Sequence, residues 1–141
     1  MRSSVLIVAI AALSACSGEN AGDAAGEEAA GGGGDYRALA ECSARMDAVS
    51  ALYAAIAEAS SGDNAGELRK TAELRAAAAQ VLKAEAEKVS GDAAAVEAVI
   101  AETKASIDAE REKQEFQQFG SWLGKEADGC APLVQAIVKG E

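Results

Sequence analysis

The sequence predicts an all-α fold: a small antiparallel helical bundle, with four helices favoured and a three-helix arrangement as the alternative. Three observations lead there. Apolar residues in the body recur at alternating steps of three and four, the period that lines them along one side of a helix. Only one proline occurs in 141 residues, and beyond the N-terminal apolar segment no run alternates β-branched and polar residues as a half-buried strand does. Half of the residues are hydrophobic but only 4% are aromatic, and much of the remainder is alanine. The core is therefore expected to be thin, suited to close helix packing rather than to a large buried pocket. Length fits one small domain.

Residues 1–15 divide into three parts. Met1 to Ser4 carry one positive side chain, Arg2; Val5 to Leu13 form the uncharged run VLIVAIAAL; Leu13-Ser14-Ala15 close the segment with small residues ahead of Cys16. This is the layout of a secretory signal peptide. The apolar run is too short for a permanent span, which needs roughly 20 apolar residues. Leu13-Ser14-Ala15-Cys16 resembles the lipobox of bacterial lipoproteins. That resemblance implies that the Cys16 thiol receives a diacylglycerol, that the chain is cut before it, and that the membrane is a partner through the lipid anchor. Two or three acyl chains hold a protein on a bilayer where one does not. Ser17 is not the aspartate that the resemblance associates with inner-membrane retention, so the implied location is the outer membrane, facing the periplasm.

Cys16 is followed by a tether, SGENAGDAAGEEAAGGGGD, which completes a segment of residues 16–35. It contains no aromatic or branched apolar residue, and its charges are all negative. Such a stretch buries too little surface to offset chain entropy and is expected to be disordered. On the scaling of Gly-rich coils its ends would lie about 25 Å apart.

The helical domain is expected over residues 36–141. In the first helix, about 36–59, Leu39, Cys42, Met46, Val49, Tyr53 and Ile56 form one stripe. Ser60 to Asn64 supply a stop and fresh capping residues. The second helix, about 64–89, has a stripe of Leu68, Leu74, Ala78, Val81, Leu82 and Val89. Ser90-Gly91-Asp92 ends it and offers Asp92 as the next cap. A third helix from about 93 carries Val96, Val99, Ile100, Thr103 and Ile107. The charged run DAEREKQE at 108–115 then interrupts the pattern. Phe116, Phe119, Leu123, Ala127, Cys130, Val134 and Ile137 resume it, with a kink expected near Gly129 and Pro132.

With Cys16 assigned to lipid by the resemblance, two cysteines remain, Cys42 and Cys130. An even number in an oxidising compartment reads as one disulfide; two buried free thiols or a redox pair are the alternatives. A disulfide needs Cα atoms within about 7 Å. An unbroken third helix would leave the two cysteines roughly 25–30 Å apart at 1.5 Å per residue. A reversal near 112–118 would instead bring a fourth segment back along the first helix. The pairing thus favours four helices.

Composition narrows function mostly by exclusion. Net charge is −10, with no clustered basic face to neutralise phosphates, so nucleic acid is not expected as a partner. Histidine is absent, which removes the commonest general base near neutral pH and the commonest metal ligand. No metal and no cofactor are indicated. Carboxylates alternate with Lys and Arg; Glu67 with Lys70 and Glu110 with Lys113 read as helix-supporting ion pairs. Asp63-Asn64-Ala65-Gly66-Glu67 lacks the ligand spacing of a calcium loop. Gly120 and Gly124 are small residues four apart, read as packing before a dimer face. The domain is accordingly expected to be non-enzymatic, an interaction or envelope-structural module with an envelope protein as its partner. The alternative is a binder of a small apolar ligand held between helices near Tyr53, Phe116, Phe119 and Trp122. A carboxylate-dependent hydrolase ranks last.

Overall fold

A computed structural model describes residues 35–140. The expected signal peptide, Cys16 and the tether up to residue 34 lie outside the described residues. Among the described residues five helices form: α1 (Tyr36–Ala59), α2 (Asp63–Ser90), α3 (Ala93–Lys113), α4 (Phe116–Asp128) and α5 (Ala131–Lys139). None is long and apolar enough to cross a membrane. The fold is an all-α bundle of four legs, the last leg being broken into α4 and α5.

Local chemistry sets the ends. Asp35, the last residue of the expected tether, caps α1 by accepting a hydrogen bond from Arg37 N at 3.0 Å. Asp92 caps α3, accepting from Ala94 N and Ala95 N at 3.0 and 3.2 Å. At the start of α2 neither Asp63 nor Asn64 caps; the N-cap is Gly62, with no side-chain bond. Gly91 ends α2 at φ +67°, a left-handed conformation costly for other residues, and its N–H donates to Glu87 O. Only Gln114 and Glu115 separate α3 from α4. Glu110 accepts from both Gln114 and Lys113 there, and these bonds hold its carboxyl below the ordinary carboxylate value. Pro132 lies in the first turn of α5, where its missing N–H is tolerated. Continuing α4 through it would have clashed with the preceding turn.

Helix α1 is the centre. Leu39, Ala40, Cys42, Ser43, Ala44 and Met46 are all buried, too many neighbouring positions for one stripe, because α2, α3 and α4 all pack on it. Cross-helix pairs fix directions. Ser43 faces Ala79, and Ser50, seven residues on, faces Ala72, seven residues back, so α2 is antiparallel to α1. Arg37 pairs with Glu102 at 2.9 Å and Asp47 with Lys104 at 2.7 Å, so α3 runs parallel to α1. Cys42 is bonded to Cys130, and Arg45 reaches Glu126 at 3.5 Å, so α4 returns antiparallel. The Cα atoms of the two cysteines are 5.6 Å apart. The reversal at 114–115 that makes this possible removes the three-helix alternative.

The α1–α2 seam is built from small residues. On α2, Ala65, Ala72, Ala79 and Ala86 are buried at steps of seven. On α1, Ser43, Ser50 and Ala57 repeat at the same step. Ser43 Oγ and Ser50 Oγ each donate to a main-chain carbonyl of α2 at 2.8 Å. A side chain this short reaches the opposing backbone only if the helices lie close, and alanine and serine permit that. No buried side-chain polar atom among the described residues lacks a partner. This seam corrects the expected face of α2. Leu82 is fully buried, but Leu74 is 72% exposed and Val81 and Val89 are 39% exposed. The alanine face, rather than the face with the most large residues, turns to α1. On α3, Val96, Val99, Ile100 and Ile107 are buried, with Thr103 half-buried.

Candidate functional site

A concavity with largely apolar walls lies between α1, α3 and α4. Its volume is about 260 Å³. On α1, the flank carrying Ala48, Ala51 and Ala55 offers nothing longer than a methyl, so the space beside Leu52 is not filled from that side. Ile107, Asp108 and Arg111 of α3 form the opposite wall, and Phe116, Phe119 and Leu123 of α4 close the floor and one edge. Phe119 and Leu123 are buried; Phe116, at the first turn of α4, is 63% exposed at the edge of the groove. At the mouth, Arg111 Nη2 stands 3.8 Å from Asp108 Oδ1, both side chains about two-thirds exposed.

A second concavity of about 240 Å³ lies between α1, α2 and α3 and has polar walls, including Asp47, Gln80, Lys83, Glu97 and Lys104. Two ion pairs span it, Asp47 with Lys104 and Lys83 with Glu97. The hydrogen bond to Glu97, and then its charge, hold the Lys83 ammonium above its ordinary value. Each carboxylate here already has a cationic partner, so the groups act as clamps between helices. Arg75 of α2 is a third clamp: it touches Met46 Sδ at 3.4 Å and bonds Asp128 at 2.7 Å. The pairs Glu67–Lys70 and Glu110–Lys113 form at 3.0 and 3.3 Å. No group of three or more potential metal ligands occurs among the described residues.

The four aromatic residues singled out in the sequence are not brought together. Phe116 and Phe119 both line the apolar groove. Trp122 is half-buried against the core, its ring 5.9 Å from that of Phe119 and tilted by 33°. Tyr53 also packs against the core. Neither Trp122 nor Tyr53 lines the groove. In their place the structure supplies Leu52, Ile107 and the row Ala48, Ala51, Ala55. The row has helical spacing in the sequence, but alanine is so frequent that the spacing alone does not distinguish it. Cys42 and Cys130 are 6% and 1% exposed, deep in the core, and Cys16 lies outside the described residues.

No protein-family model, no curated protein and no solved structure matches this chain.

Proposed function

We propose that the chain is a lipoprotein, anchored through Cys16 and facing the periplasm, whose helical domain is a non-enzymatic interaction or envelope-structural module. The observation that supports the interaction-module part of this reading is the outer face of α2; the anchor rests on the resemblance of Leu13-Ser14-Ala15-Cys16 to the lipobox. Leu74, Ala77, Val81 and Ala84 follow one another at steps of three, four and three, and all are exposed. That is the spacing of a helix–helix seam. The same helix meets α1 through alanine, so its large side chains Leu74 and Val81 are left for solvent or for a partner. Single exposed apolar residues need no explanation; a seam-spaced row of them supports a docking face.

The test is a photo-crosslinking amino acid at position 74 in intact cells, with the same group at the exposed Ala98 of α3 as control. A discrete adduct from position 74, absent from position 98 and lost when Val81→Glu is added, is the expected outcome. No adduct, or equal adducts from both positions, would remove the reading. The anchor is tested separately: Cys16→Ser should leave the protein released or unprocessed, and normal processing with retained membrane attachment would overturn it. A second reading, a binder of a small apolar ligand, is favoured by a different observation, the groove beside Phe116.

A further inference from the structure

We propose that the groove between α1, α3 and α4 holds one short alkyl chain whose anionic head group is received by Arg111; this deepens the ligand-binding reading and rests on it. Size sets the class of occupant. A cavity of about 150 Å³ lined by Leu, Ile and Phe takes benzene, and this groove offers about 260 Å³. That suits a chain of roughly eight to ten carbons, counting a methylene as close to the ~30 Å³ of a water. An α-helix with its side chains is about 10–12 Å across, too wide to seat in so small a space.

Shape favours a chain over a compact ring system. Ala48, Ala51 and Ala55 form a line along α1, and seven residues of helix span about 10 Å. The occupant would lie along that line, against Leu52, Ile107 and Leu123. Phe116 stands at the edge with most of its ring in solvent, placed to cover the chain by a side-chain rotation.

The mouth selects the head group. Arg111 is the cation among the residues lining the groove, and its contact with Asp108 is long and exposed. Its planar guanidinium therefore keeps donors for a carboxylate, which it can bind through two parallel hydrogen bonds. The nearby Lys113 is engaged with Glu110. Asp108 would compete with the ligand for Arg111 and oppose a dianion, so a monoanion fits best. A single narrow chain and a single cation point to a free fatty carboxylate rather than a two-chain membrane lipid.

Trp122 is the sole tryptophan of the chain, and its ring neighbours Phe119, a wall of the groove. Its fluorescence is a built-in reporter. The experiment titrates the full chain carrying Cys16→Ser, kept free of detergent, with decanoate and with decanol below their aggregation thresholds. Decanoate should give a saturable one-to-one change and bind at least five-fold tighter than decanol. Arg111→Gln should abolish that preference by weakening decanoate far more than decanol. Ala51→Leu fills the groove from an exposed helix position and should weaken both probes at least ten-fold without lowering the melting temperature. No saturable change with either probe would overturn the groove and the ligand-binding reading together, whereas saturable binding insensitive to Ala51→Leu would overturn the groove as the site and leave that reading standing. Equal affinity for the two probes would overturn the anionic head group alone. Vesicles of phosphatidylglycerol producing the same change as decanoate would overturn the assignment to a free single-chain ligand.

Discussion

Gly124 sits in the middle of α4, and an added Cβ there would meet nothing within 4 Å. Gly120, four residues earlier, lies against α1, where a Cβ would stand 3.6 Å from Leu52 Cδ2, an ordinary contact. The small-residue pair in the sequence therefore splits: Gly120 belongs to the α1–α4 packing, and Gly124 does not. Glycine inside a helix costs about 0.5–1 kcal/mol relative to alanine. With no steric opposition, Gly124→Ala should recover most of that. For a domain of this size the gain corresponds to a rise in melting temperature of roughly 3–6 °C, readable by thermal circular dichroism. A fall instead would contradict the open space beside Gly124.

At the scale of the element, α2 separates what the sequence reveals from what it conceals. Its ends were legible to within a residue or so, because Gly91 and the Ser60–Asn64 cluster break helices by local chemistry. Its buried face was not. Alanine occupies so many positions of α2 that the buried series Ala65, Ala72, Ala79, Ala86 is hidden among alanines facing elsewhere, and the larger Leu74 and Val81 draw attention to the wrong side. The distinguishing signal lies in the partner: Ser43 and Ser50 on α1 share the seven-residue step and bond to α2 carbonyls. The groove was half legible for a related reason. Phe116 and Phe119 stand out by size, but an open space between three helices depends on which alanines face it, a property of the tertiary arrangement. The seam makes a sharp contrast testable. Ala79→Leu forces three extra carbons between backbones already bridged by a serine hydroxyl, and should cost about 1–3 kcal/mol as overpacking does. Leu74→Ala removes the same three carbons from an exposed position and should change stability by about 0.5 kcal/mol or less. Urea denaturation of the two variants gives the comparison directly, and equal effects would argue against the close seam.

For the molecule as a whole, the Cys42–Cys130 disulfide converts a helical hairpin with loosely held additions into a closed bundle. Helix α5 contains no fully buried residue, and its packing is chiefly against α2. Surface ion pairs such as Arg45–Glu126 and Arg75–Asp128 contribute little individually, about 0–1 kcal/mol. The covalent bond joins the α4–α5 junction to the central helix across 88 residues of sequence. Closing a loop that long removes enough unfolded-chain entropy to stabilise the fold by about 4–5 kcal/mol, before any native strain. A domain of this size has a total stability of about 5–15 kcal/mol, so the bond supplies a large fraction. The double variant Cys42→Ala/Cys130→Ala should therefore unfold at much lower urea. The effect should also be uneven. Amides of α4 and α5 should lose protection from hydrogen exchange well before those of α1 and α2, whose alanine seam does not depend on the bond. Uniform loss of protection across all helices would mean that the seam cannot stand alone. An unchanged urea midpoint would mean instead that packing of α4 on α1, through Phe119, Leu123 and Ala127, closes the bundle without the staple.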